Sequence, residues 1–174
     1  MKIEMKNKGF FFYISNNFDK NHLLEVFHNN YSYKQHRYIY IKYIGQEAQT
    51  KIFGLLKKLK NNSVIIIFET AFFKNIDFFK NLYASGADLI VISAMEIGDS
   101  NLKELEKVLP KDILYIKNNE SDIETHKKIF HKMPFLLEES VFEPLKRKIW
   151  IDLTNLKRKL RIKEVYESFD SSGL

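Results

Sequence analysis

Apolar and polar positions recur along this chain with two different periods, and the switches between them mark its elements. From Gln46 to Asn61 (QEAQTKIFGLLKKLKN), Ala48, Ile52, Leu55, Leu56 and Leu59 fall at helical spacing, with Lys51, Lys57, Lys58 and Lys60 around the other face. Asn61-Asn62-Ser63 stops that helix. Val64 to Phe68 (VIIIF) is then an unbroken apolar run, the pattern of a strand buried on both faces. Ile76 to Ser85 reads as a second amphipathic helix, with Phe78, Phe79, Leu82 and Tyr83 apolar. Gly86 ends it, a residue that tolerates the left-handed conformation after a helix.

Leu89 to Ile92 (LIVI) predicts another buried strand. Leu102 to Leu109 predicts a helix begun near Asp99-Ser100 and ended before Pro110. Ile113 to Ile116 (ILYI) predicts a third strand, and Ser121 to Lys132 a helix capped by Ser121 or Asp122. Elements alternating in this rhythm predict an α/β fold, a mixed sheet of about four to five strands flanked by helices. Near the C-terminus, Lys148 to Leu153 (KIWIDL) alternates like a short strand, and Thr154 to Phe169 reads as a basic helix. Near the N-terminus, Phe10 to Ile14 and Tyr38 to Ile44 read as strands with Asn21 to Phe27 as a helix between them. Residues 1–45 are thus an N-terminal extension or an additional β/α element, ahead of a globular domain over 46–174.

Length and composition narrow this picture. A chain of 174 residues, 45% of them apolar, is long enough for one domain with a substantial core. It has no cysteine, which excludes disulfides, thiolate metal sites and a cysteine nucleophile, and fits a reducing compartment. No apolar run approaches the roughly 20 residues of a membrane-spanning helix, so no membrane partner is expected. The apolar stretch Phe10 to Ile14 is shorter than a signal-peptide core, and no Arg precedes Arg37 as an Arg-rich transit peptide would require.

Candidate chemistry is sparse. The glycines stand alone, and neither a P-loop nor a dinucleotide fingerprint can be built from them. His126 and His131 are five residues apart and His22 and His28 six, spacings that put them on different helix faces; no metal and no cofactor is expected. Glu69, Ser93 and Lys117 each follow a predicted strand, an acid, a hydroxyl and a lysine placed like those of a phospho-acceptor receiver domain. A receiver needs Asp at the acceptor position and an acidic pair after its first strand. Here those positions hold Glu69 and the neutral Ser15-Asn16-Asn17, so the alternative is a degenerate, flavodoxin-like protein-interaction module without phosphotransfer. No catalytic residue is assigned and the chain is expected not to be an enzyme.

Charge is more informative. The net charge is +6, and lysine far outnumbers arginine, a bias shared with plentiful Asn, Ile, Phe and Tyr that AT-rich coding favours. The positives cluster all the same. Residues 146–163 hold Lys146, Arg147, Lys148, Lys157, Arg158, Lys159, Arg161 and Lys163 against the single acid Asp152. The stretch YSYKQHRYIYIKY interleaves Tyr31, Tyr33, Tyr38, Tyr40 and Tyr43 with Lys34, His36, Arg37 and Lys42. Rings beside cations suit RNA, whose exposed bases stack and whose phosphates need neutralising. The plainer reading of the same residues is a solvated helix face and a tyrosine-rich strand in a core.

From residue 46 to about 169 the chain resembles the large-subunit ribosomal stalk-base proteins, the L-ten/P-zero family. The resemblance is carried by LLKKLKNNSVIIIF and then FFKNLYASGADLIVIS, with Phe79-Lys80-Asn81-Leu82 in the family's helix signature and Gly86 at its turn. Leu102 to Lys117, His126 to Met133 and Lys148 to Phe169 look like its later elements, with Arg161-Ile162-Lys163-Glu164-Val165-Tyr166 in the closing helix. The chain departs from the family at Ser93-Ala94-Met95, where Lys-Asn-Thr is usual, and at Ala71 or Phe72 and Glu138-Glu139, where glycines are expected. The resemblance implies a structural constituent of the large subunit that binds ribosomal RNA at the stalk base and anchors acidic stalk proteins. On that reading the RNA contacts are Lys34, Arg37 and Lys42, with Lys57, Lys58 and Lys60 on the first helix of the 46–174 domain. The residue usage and the N-terminal addition fit a mitochondrial ribosome, with the cytoplasm as the alternative setting.

Overall fold

The computed structural model describes residues 8–31, 36–121, 124–125, 128–129, 147–152 and 161–166; for 8–9, 36–37, 147–152 and 161–166 only the backbone is described. Strand β1 (Lys8–Ile14) leads through α1 (Lys20–Asn30) to β2 (His36–Tyr43), then α2 (Lys51–Lys60) and β3 (Ile65–Thr70). Next come α3 (Ile76–Ala84), β4 (Leu89–Ser93), α4 (Ala94–Val108) and β5 (Leu114–Lys117), and beyond them β6 (Arg147–Asp152) and β7 (Arg161–Tyr166). The fold is α/β. Its strands form one sheet in the order β5-β4-β3-β2-β1-β6-β7. All neighbours pair in parallel except β6 and β7, which are antiparallel.

From β1 to β5 every strand lies beside its predecessor, so the sheet is wound in one direction and its four intervening helices share one face. On that face Leu23 and Phe27 of α1, Leu55 and Leu59 of α2, Phe78 and Leu82 of α3 and Leu105 of α4 pack on Phe12, Ile41, Phe68 and Ile90. On the other face Ile129, which follows β5 in the chain, packs with Phe11, Tyr38, Tyr40, Ile67, Leu89 and Val91. Strands buried on both faces explain why VIIIF and LIVI show no alternation.

The five parallel strands β1–β5 and their four helices are the expected α/β sheet, and β6 and β7 extend it to seven strands among the described residues. The described part of the first 45 residues contributes β1, α1 and β2, with β2 paired to β3 along its length. Several element bounds change. Helix α2 begins at Lys51, not Gln46, because the hydroxyl of Tyr43 donates to Glu47 O at 2.6 Å and Glu47 N donates to Asn16 Oδ1 at 3.2 Å, holding residues 45–47 as a turn. Helix α4 starts directly after β4 at Ala94 and is broken at Gly98, whose φ of 72° and ψ of 160° are not helical. The basic helix expected over Thr154 to Phe169 is corrected in part. Arg161–Tyr166 is a strand paired antiparallel to β6, consistent with the β preference of Ile162, Val165 and Tyr166; residues 153–160 and 167–174 lie outside the described residues. Of the helix expected over Ser121 to Lys132, the described residues Glu124, Thr125, Lys128 and Ile129 are helical.

Candidate ligand site at the carboxyl edge of the sheet

Parallel registers carry a row of residues across the face opposite α1–α4, close to the carboxyl ends of the strands. Tyr13 on β1 is level with Lys42 on β2, Lys42 with Glu69 on β3, Glu69 with Val91 on β4, and Val91 with Tyr115 on β5. On the other side Tyr13 is level with Asp152 of β6. One step further toward the edge, Ser93 is level with Lys117. Deeper on this face the neighbours are Phe11, Tyr40, Ile67 and Leu89, so the face passes from apolar to charged within one repeat of the strands.

Glu69 is the centre of the charged part. It is 5% exposed, and the Tyr40 hydroxyl donates to its Oε1 at 2.5 Å. Its Oε2 is approached by Lys42 Nζ at 3.5 Å and by Lys117 Nζ at 3.6 Å, the latter reaching past β4. A second carboxylate, Glu120, engages Tyr115 at the β5 end of the row. The Tyr115 hydroxyl contacts both Oε1 and Oε2 of Glu120 at 3.0 Å, Asn118 N donates to Oε1 at 3.1 Å, and Lys128 Nζ lies 3.6 Å from Oε2. Burial and the Glu120 carboxylate together hold the Tyr115 hydroxyl protonated well beyond the usual tyrosine range, so it serves as a donor.

The loops at the helix side of the same edge are tied to one another. The Tyr43 hydroxyl shares its one proton between Glu47 O and Asn16 Oδ1, the latter at 2.8 Å, and burial with the Glu47 charge pushes its pKa up to about 12. Lys74 Nζ donates to Gly45 O at 2.6 Å, Phe72 O at 2.9 Å and Thr70 Oγ1 at 3.4 Å. Desolvation lowers the Lys74 pKa to about 8, against the opposing pull of Glu96.

The residues expected to contact RNA do not form one surface. Lys34 lies outside the described residues and only the backbone of Arg37 is described. Lys42 faces Glu69 on the sheet, away from the helices. Lys60 Nζ is 2.5 Å from Asp88 Oδ2 and donates to Val64 O at 3.2 Å. Lys57 and Lys58 are exposed on α2. The trio of Glu69, Ser93 and Lys117 does share a face and an edge, with Glu69 and Lys117 in contact. Their setting differs from a receiver's: β1 here lies between β2 and β6, not between β2 and β3 as in the 2-1-3-4-5 order. The acidic pair's positions hold Asn16, whose Oδ1 is engaged by Tyr43 and Glu47. What the sequence reading missed was Tyr40 and Lys42 as partners of Glu69. The signal was there in strand parity, since Tyr38, Tyr40 and Lys42 are spaced by two and must share a face.

Fold and cluster together define the chain as an α/β domain with a buried carboxylate and two partly exposed lysines at the carboxyl edge of its parallel strands. No protein-family model matches it, and no curated protein or solved structure matches it either.

Proposed function

We propose that the chain is a ligand-binding α/β domain whose site is the carboxyl edge of the sheet around Lys42, Glu69 and Lys117. Two lysines converging on one oxygen of a buried carboxylate carry this reading. A buried carboxylate paired with lysines is a poor means of holding a fold together, because desolvation offsets the attraction. Open α/β sheets bind ligands outside the carboxyl ends of their strands, where the direction of winding reverses. Here that reversal falls between β1 and β6, beside Tyr13, with Lys42 one strand away.

Replacing the charges together separates a site from a staple. The variant Tyr40→Phe/Lys42→Met/Glu69→Leu/Lys117→Met removes the ion cluster without stranding a charge or the buried Tyr40 hydroxyl that Glu69 accepts from. On the ligand-site reading it melts at or above the wild-type midpoint, as apolar replacements of buried ion clusters often do, with gains of about 1–4 kcal/mol. A fall of several kcal/mol in urea denaturation would make the cluster a structural element and sink the proposal.

RNA contact is the second reading, favoured by one observation: α2 exposes Lys57 and Lys58 and carries no acidic residue. This is the surface through which the stalk-base resemblance would act. Co-sedimentation with large ribosomal subunits through a sucrose gradient tests it, and a protein that stays at the top at low salt is not a ribosomal constituent.

A further inference from the structure

Strand β5 ends the sheet order, and between it and α4 lies a cavity of about 520 Å³. Its apolar walls are aliphatic throughout: Leu102, Leu105 and Leu109 along one stripe of α4 and its cap, Pro110 from the turn, Leu114 and Ile116 from β5. The volume falls within the roughly 300–1,000 Å³ of small-molecule sites. Leu114 and Ile116 pack with the core on the helix face, whereas Tyr115 packs with the cluster around Ile129. The cavity is therefore on the opposite face of the sheet from Glu69.

The rim decides which head group fits. It carries Glu106, Lys111 and Asp112, all exposed, two carboxylates against one ammonium. The backbone adds to this imbalance. Helix α4 ends here, with Leu109 N donating to Leu105 O at 2.9 Å. The next donor in that series would come from position 110, and Pro110 has no N–H, so the Glu106 carbonyl loses its helical partner. A helix C-terminus also carries partial negative charge, which favours cations. Acceptors and negative charge thus gather at the mouth of an aliphatic cavity.

We propose that the α4–β5 cavity binds a small aliphatic ammonium, its alkyl body among the leucines and its head at the rim with Glu106 and Asp112. An ammonium brings three N–H donors and no acceptor, the complement of what the rim offers. Lys111 is the one rim charge that opposes it. The proposal goes beyond the site around Glu69 and uses none of its residues.

The probe is octylammonium chloride, titrated into the full chain by calorimetry and methyl NMR, with sodium chloride at matched ionic strength as the blank. The expected result is saturable binding whose shifts centre on the methyls of Leu102, Leu105, Leu109, Leu114 and Ile116. Glu106→Gln/Asp112→Asn should weaken it about fivefold to tenfold, the loss of two exposed charge pairs. Lys111→Gln should tighten it about twofold to fivefold, a gain that a misfolded variant cannot produce. Octanoate and octanol carry the same chain length with a negative and a neutral head, and methylammonium carries the head without the chain; all three should bind more weakly. Octanoate or octanol binding as tightly as octylammonium overturns the cation assignment, as does weaker binding in Lys111→Gln. Methylammonium binding equally well removes the role of the aliphatic walls. Absence of saturation, or shifts spread over other surfaces, overturns the site itself.

Discussion

A Cβ at Gly45 would lie 2.1 Å from Asn16 Oδ1 and 2.5 Å from the Tyr43 hydroxyl, so the turn after β2 has room for no side chain. Gly45→Ala must push apart the Tyr43–Asn16 hydrogen bond or move the turn. The expected cost is about 1–3 kcal/mol, the range for overpacking a well-fitted site, read as a lower urea midpoint. Lys74 adds a pH signature at the same turn. Its folded pKa of about 8 is below its ordinary value of 10.5, so the unfolded chain binds more protons between those two values. Stability contributed at this position therefore rises as pH goes from about 8 toward 10, and Lys74→Met should flatten that rise in urea melts. Tyr43 acts the other way only above about 10, because its folded pKa is raised to about 12. A wild-type stability that falls between pH 8 and 9.5 would contradict the burial of Lys74.

Elements with a strong local pattern, a helical period or an unbroken apolar run, were legible in the sequence; those decided by pairing were not. VIIIF and LIVI have the composition of buried strands and became β3 and β4 in the middle of the sheet. Phe68 on β3 is fully buried, and Phe68→Ala should cost about 3–5 kcal/mol. The segment RIKEVY reads as helix when taken together with the basic run before it, although Arg161 and Lys163, two residues apart, share one side of a strand and lie on opposite sides of a helix. Pairing with β6 settled it as extended chain. The candidate site failed to emerge for a similar reason. Lys42 was grouped with its sequence neighbours Lys34 and Arg37, whereas the sheet joins it to Glu69 and to Lys117, far along the chain. Asp88 is another long-range partner without a local signature. Its Oδ2 accepts from Lys60 Nζ at 2.5 Å and from Ile66 N at 2.8 Å, tying the end of α2 and the start of β3 to the start of β4. Asp88→Ala removes both bonds and is expected to cost about 1–3 kcal/mol, whereas Lys60→Gln leaves the Ile66 bond intact and should cost less. Equal costs would show that Ile66 N–H finds another acceptor.

At the scale of the whole molecule, the sheet separates two basic surfaces that the sequence presents as one population of lysines. Lys42 and Lys117 face Glu69 on one side, while Lys57 and Lys58 face solvent on α2 on the other. An RNA-binding surface on α2 can draw on Lys57 and Lys58, but Lys60 is committed to Asp88 and contributes little to neutralising phosphate. Each phosphate contact accounts for about 0.7–0.9 in the slope of log affinity against log salt, depending on whether the nucleic acid is single- or double-stranded. Lys57→Gln/Lys58→Gln should therefore reduce the slope by roughly 1.4–1.8, and adding Lys60→Gln should change it by much less than one further contact. Helicity of α2 should survive in both variants, since Gln and Lys have similar helix propensity, so circular dichroism provides the folding control. The titration is run against stalk-base ribosomal RNA and an unrelated hairpin. Tighter binding to the first, with the double variant losing the expected slope, supports the ribosomal surface. Equal affinity for both RNAs reduces α2 to a basic patch with no ribosomal specificity. A triple variant that loses a full further unit of slope would mean that Lys60 leaves Asp88 when RNA binds, and that the end of α2 rearranges on the RNA.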